Sequence, residues 1–291
     1  MRVGAILLLL PLLGNCVQSL DPTADAGSGG RSGSAGATAG KDDVLCDGSS
    51  QMRLIFAVGG GFVQDTFPFT NPHGHAFLAV DGGCHYYVSD SAMHGIQSDT
   101  LSATQEDTLG RELHFRDLAR WSWDLQKDMA CPDGSGVSLL RAGKRNGCTC
   151  GCDSAAPAGL SEALSAAQAW VTRLSAAGKP LDGAVSALAF ESADGLTDPS
   201  AWPLARAVSE IPELLHTRHE PSLQADGTYA RFDGADAQKL RELRSAAFKA
   251  ANGSDRIMTV RDAGKLYELY VRDELPDSAA TAWKALEATL P

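Results

Sequence analysis

Seven cysteines and seven histidines give this 291-residue chain its most distinctive side chains. Five of the histidines fall close together: His73, His75, His85, His94 and His114. In an extended segment His73 and His75 share one face, about 6.5 Å apart, which suits joint ligation of one metal ion. His85 does not complete that pair in either register considered for the Asp81-Gly82-Gly83 loop. With Asp81-Gly82 as the turn, it lies opposite Leu78, on the other face from His75. With all three residues in the loop, it lies opposite Ala79, about 13 Å along the strand from His75. His94, in the loop that follows, is the remaining third ligand. A zinc or copper site at His73, His75 and His94 is the sharper reading, but no cofactor is expected. The plainer alternative leaves His73 and His75 as exposed loop residues beside Pro72.

Six cysteines lie in the body of the chain: Cys46, Cys84, Cys131, Cys148, Cys150 and Cys152. An even number in an exported protein reads as a disulfide framework. The favoured pairing joins Cys46 to Cys84, and Cys131 to one member of the 148–152 cluster, whose last two sulfurs then pair locally. A C-x-C-x-C run can also hold zinc or Cu(I) as thiolates. Its spacing is tighter than that of zinc knuckles, and an oxidising compartment removes the thiolates such a site needs.

Other chemistry is poorly represented. Gly59-Gly60-Gly61 follows a strand-like run, but the chain has no G-x-x-x-x-G-K-[ST] and Gln64 stands where a third dinucleotide-binding glycine belongs. A bulge or tight turn is expected there instead. Neither a G-x-S-x-G elbow nor H-E-x-x-H is present. Asp42-Asp43 and Asp273-Glu274 read as carboxylates that solvate a surface. Tyr86-Tyr87, Trp121 and Trp123 could face a glycan or peptide, although core packing is the preferred reading. Adjacent strand residues point to opposite sides, so only one of Tyr86 and Tyr87 can meet a ligand.

The elements that must position these residues can be read from periodicity and turn chemistry. Met52 to Val58 is a strand. Ala76 to Val80 and His85 to Val88 flank Asp81-Gly82-Gly83, a strong hairpin signal. Ser102 to Leu113 forms a short helix with Ser102 as N-cap and Gln105 three residues on. Val137 to Leu140 is a further strand, and 142–157 is a Cys- and Gly-rich loop. Leu160, Leu164, Ala167, Val171 and Leu174 recur at helical spacing, with Gly178 at the expected C′ position and Pro180 as a stop. A strand over 184–190 and a helix from Asp233 or Asp236 to Ala251 follow. A hairpin across Asp262-Ala263-Gly264, with Gly264 left-handed in a three-residue loop, precedes a terminal helix capped near Asp277 or Ser278.

The N-terminus is an address. Arg2 precedes an uncharged, Leu-rich run over 3–13 that is too short to span a bilayer, which needs about 20 apolar residues. It ends in Leu12-Leu13-Gly14-Asn15-Cys16, which resembles the lipobox of bacterial lipoproteins. That resemblance implies that Cys16 becomes the first mature residue and carries the lipid. Asn15 departs from the Gly, Ala or Ser the family places before the cysteine. The alternative is ordinary signal cleavage after Ser19. A Gly/Ser/Ala stretch then reads as a flexible tether.

Composition excludes some partners. Lys and Arg total 25 against 36 Asp and Glu, a net charge of -11. That balance lacks the cationic footprint phosphate neutralisation requires, so no nucleic-acid partner is expected. Length and a 44% hydrophobic fraction permit a real core. The chain therefore divides into a signal over 1–15, a lipidated tether over 16–43, a β-rich Cys-containing half over 44–157 and an α+β half over 158–291, of α+β class throughout. Two functional classes stay open. One is an exported, lipid-anchored envelope module, at the outer membrane or surface, that binds a protein or glycan without catalysis. The other is an exported metal-binding protein or hydrolase built on the His73/His75 region.

Overall fold

Strand β1 (Met52–Gly60) is apolar on both faces, the mark of a strand covered on both sides. In a computed structural model of the chain it is an inner strand of the first of two sheets among the described residues. The structure describes residues 44–60, 76–91, 94–123, 135–149, 151–152, 154–192, 199–217, 229–252 and 258–289. All of them lie in one unit, Ala39–Pro291. The class is α+β, as the sequence indicates.

The first sheet has the order β6-β5-β1-β2-β3-β4-β7. Its strands are β2 (Ala76–Asp81), β3 (His85–Ser89), β4 (Gln97–Thr100), β5 (Ser135–Arg141), β6 (Lys144–Thr149) and the short β7 (Lys179–Pro180), all paired antiparallel. On one face Leu54, Phe56, Leu78 and Val80 pack with Leu109, Phe115 and Leu118 and with Leu160, Leu164, Trp170, Val171 and Leu174. The helices behind these contacts are α1 (Ala103–Glu112), α2 (Phe115–Leu118) and α3 (Leu160–Ala177). On the other face Ile55, Phe77 and Ala79 pack with Leu275, Ala279 and Trp283. Here α5 (Asp277–Glu287) sets Trp283 edge-on to Phe77, ring centres 5.5 Å apart. Each fully buried Leu or Phe contributes roughly 1.5–3 kcal/mol.

The second sheet has β8 (Val185–Ser192) and β13 (Lys265–Asp273) at its centre, with β12 (Met258–Asp262) and three very short strands: β9 (Ser200–Ala201), β10 (Leu215–His216) and β11 (Ala230–Phe232). Helix α4 (Gly234–Ala250) covers one face through Ala237 and Leu240.

Several local expectations hold and several change. Ser102 caps α1 with a full capping box to Gln105, as its spacing predicts. Tyr86 is buried in the first core and Tyr87 packs on the opposite face, so both serve packing. Gly59 and Gly60 form no turn: they continue β1 and pair with Gly136 and Ser135. The register shift in β1 falls between Met52 and Leu54 instead. Lys144–Thr149, read as loop, is strand β6, joined to β5 by Ala142 and Gly143, both at positive φ. The β12–β13 hairpin uses the same device. Asp262 pairs with Lys265, so Ala263-Gly264 is a two-residue loop with both residues at positive φ, as a type I′ turn requires. Gly178 follows α3 with extended dihedrals, because the chain must enter β7 directly.

Candidate functional site

The site begins at the β2–β3 loop. Val80 pairs with Tyr86, so His85 stands opposite Asp81 and the loop is Gly82-Gly83-Cys84. This differs from both registers read from the sequence, because Asp81 belongs to the strand. Asp81 fixes the loop by accepting from the His85 amide at 2.9 Å and from the Cys84 amide, through its carbonyl, at 3.1 Å. Cys84 closes the turn in a left-handed conformation, φ 66°. Its sulfur is bonded to Cys46, which ties the chain ahead of β1 to this hairpin. The 47–49 turn lies over Gly82, where any Cβ would overlap Asp47 Oδ1 and Ser49 Oγ. Hydrogen bonds from the Ser49 hydroxyl and amide, aided by Arg53 at 3.2 Å, hold the Asp47 carboxyl below its ordinary value.

Beside this staple α1 and α2 border a groove of about 480 Å³ whose walls include Val44, Leu45, Glu106, Arg111, His114 and Asp117. Glu106 Oε1 accepts from the Cys46 amide at 3.1 Å, so the staple and the groove share a wall. His114 is left-handed, φ 50° and ψ 42°, a conformation uncommon outside glycine and one in which His is enriched. Its ring lies against Gly159 and 5.8 Å from the Trp121 ring, with Nδ1 3.5 Å from Asp117 Oδ2. Two buried polar residues of the β5–β6 hairpin hold α2 in place. Arg141 donates to the Phe115 carbonyl and lies over the Phe115 ring. Asn146 donates to the Leu118 carbonyl at 3.0 Å and accepts from the Trp123 amide at 3.0 Å.

The groove mixes signs and faces water. Asp107 and Arg111 lie 3.4 Å apart with most of their surface exposed. Such a surface can recognise a polar or zwitterionic group by paired hydrogen bonds.

The sequence candidates are distributed unevenly. Cys16, His73, His75, Cys131 and Cys150 lie outside the described residues. His94 sits with Nδ1 2.7 Å from Asp90 Oδ1, and its ring stacks on Phe248 of α4 at 5.4 Å and 6°. The Cys46–Cys84 bridge forms as expected, and Cys148 pairs locally with Cys152. Among the described residues one group of three donors has its ligand atoms within 4.8 Å of one another: Cys46, Cys84 and Glu106. Glu106 was not a sequence candidate. Its place four residues after the Ser102 cap was the available signal.

A second charged constellation is buried. Asp273, read from the sequence as a surface carboxylate beside Glu274, is instead enclosed, with 1% of its side chain exposed. Its Oδ1 accepts from Arg241 Nε at 2.7 Å. Its Oδ2 accepts from Arg244 Nη2 at 2.7 Å and from the Ile96 amide at 2.9 Å. Burial alone would raise this carboxyl; the Arg244 charge, the Ile96 hydrogen bond and Arg241 outweigh it and hold it below 3.8. Gly95, φ 83°, leaves room for the contact, since a Cβ there would overlap Arg244 and Asp273. Glu274 pairs with Arg231 at 2.7 Å. The cluster joins the loop before β4 to the second sheet, a fixed structural role.

Compared with protein-family models, with curated proteins and with solved structures, the chain matches none. Among the described residues no helix is long and apolar enough to cross a membrane. The two disulfides among the described residues are of the kind that forms in an oxidising, exported environment.

Proposed function

We propose that this chain is an exported, lipid-anchored envelope protein, held from the membrane by its Gly/Ser tether, whose body binds a partner without catalysing a reaction. The observation that carries the reading is the pair of disulfides, Cys46–Cys84 and Cys148–Cys152. A chain that keeps such bonds works outside the reducing cytosol. The leader over 1–15 and Cys16 supply the route and the anchor. Several acyl chains on one cysteine give stable attachment, since each buried CH₂ contributes about 0.8 kcal/mol. The mixed-charge groove beside α1 is the surface offered for recognition: it is open and bordered by α1 and α2.

The test is detergent phase partitioning of the full chain expressed in a bacterial host. The wild type is expected in the detergent phase and Cys16→Ala in the aqueous phase. Partition of both into the aqueous phase contradicts the anchor.

A further inference from the structure

We propose that Cys46, Cys84 and Glu106 form a redox-gated site for a thiophilic divalent cation, zinc in the first instance. The proposal rests on the side-chain geometry and is independent of how the chain is exported or anchored. The three donor atoms lie within 4.8 Å of one another on three separate pieces of scaffold. Cys84 is on the β2–β3 loop, Cys46 is on the chain ahead of β1, and Glu106 is in the first turn of α1. All three residues are half-buried, so neither solvent nor a reductant is excluded. Tetrahedral zinc, with Zn–S near 2.3 Å and Zn–O near 2.1 Å, places its donors roughly 3.6–3.8 Å apart. Sulfurs released from a disulfide reach that separation by moving about 1 Å each. The scaffold need not rearrange, because each donor is anchored by backbone on its own element. Glu106 uses Oε1 to accept from the Cys46 amide, which orients the carboxylate beside the sulfurs and leaves Oε2 outside that bond. Three protein donors with a fourth position for water form an open zinc arrangement.

In the oxidised protein the sulfurs are bonded to each other and are poor ligands. A dithiol reductant of the thiol–disulfide exchange class attacks one sulfur and breaks the Cys46–Cys84 bond. It leaves as its own disulfide, and the pair gains two electrons and two protons as two thiols. The cation then displaces both protons to bind two thiolates and the Glu106 carboxylate. Metal and disulfide exclude each other, so bound metal favours the reduced form and oxidation expels the metal.

The experiment titrates Co²⁺, a spectroscopic stand-in for zinc, into the full chain under anaerobic conditions, oxidised and after phosphine reduction. The Cys46→Ser/Cys84→Ser double variant retains every other thiol and sets the background. Glu106→Gln keeps both thiols and an oxygen acceptor for the Cys46 amide. The reduced wild type is expected to bind one Co²⁺ more than the double variant, with thiolate-to-cobalt charge-transfer absorption. The oxidised wild type is expected to show no such band, and reduced Glu106→Gln to bind at least tenfold more weakly. Equal uptake by reduced wild type and double variant overturns the site. So does undiminished binding by Glu106→Gln, or an equal thiolate band before reduction.

Discussion

In the groove, Asp107 and Arg111 lie 3.4 Å apart with 79% and 69% of their side chains exposed. At the end of β13, Asp273 and Arg244 lie 2.7 Å apart with 1% and 3% exposed. The residue types are the same and the consequences are opposite. An exposed pair exchanges readily with water and with a ligand, and contributes little to stability. A buried pair has no exchange partner, so removing one member leaves an uncompensated charge. Charge alone therefore does not mark a recognition site; the water around it does.

That contrast can be broken by substitution. Asp273→Asn leaves Arg241 and Arg244 facing each other without their anion, and should cost about 3–5 kcal/mol in urea unfolding at neutral pH. Because the folded carboxyl is held below 3.8, its contribution is complete above that value and is lost as pH falls through the lower folded one. Asp273→Asn should accordingly flatten the acid limb of the stability profile. A variant as stable as wild type would reduce the cluster to a passive feature. Next in size is the staple. Opening Cys46–Cys84 frees a loop with a sequence separation of 38 and should lower stability by up to about 4 kcal/mol. Comparing Cys46→Ala/Cys84→Ala with wild type isolates this bridge from Cys148–Cys152, which encloses far less chain. The smallest effect belongs to the groove: Arg111→Ala should change the unfolding free energy by no more than about 0.5 kcal/mol. A large loss there would mean that the groove, too, is scaffold.

Local code was the most legible part of the fold. Ser102 with Gln105 placed the start of α1, and the apolar spacing from Leu160 to Leu174 placed α3, because caps and periodicity act within a few residues. The apolar run in β1 was legible for the same reason. Turn detail was legible only in part. The sequence fits a three-residue loop at Asp262-Ala263-Gly264 as readily as the two-residue Ala263-Gly264 turn the fold adopts, and the cysteines that follow Ala142-Gly143 obscure the equivalent turn there. The β2–β3 loop shows why: it has three residues, as one reading of the sequence has it, but it starts at Gly82 and not at Asp81, because Asp81 sets the register through hydrogen bonds that no spacing reveals. Least legible was the fate of Asp273. Its partners lie 29 and 32 residues away on α4 and 177 residues away at Ile96, so its burial is a property of the assembled fold. The groove was hidden for the same reason, because Leu45, Glu106 and His114 lie far apart in the sequence and meet only in the assembled fold.

The most direct test of the account is differential thiol alkylation of the protein taken from its native location, read by mass spectrometry. The account predicts a crosslinked Cys46–Cys84 peptide that appears as two alkylated peptides only after reduction. Cys46 and Cys84 alkylated before any reductant is added would contradict it.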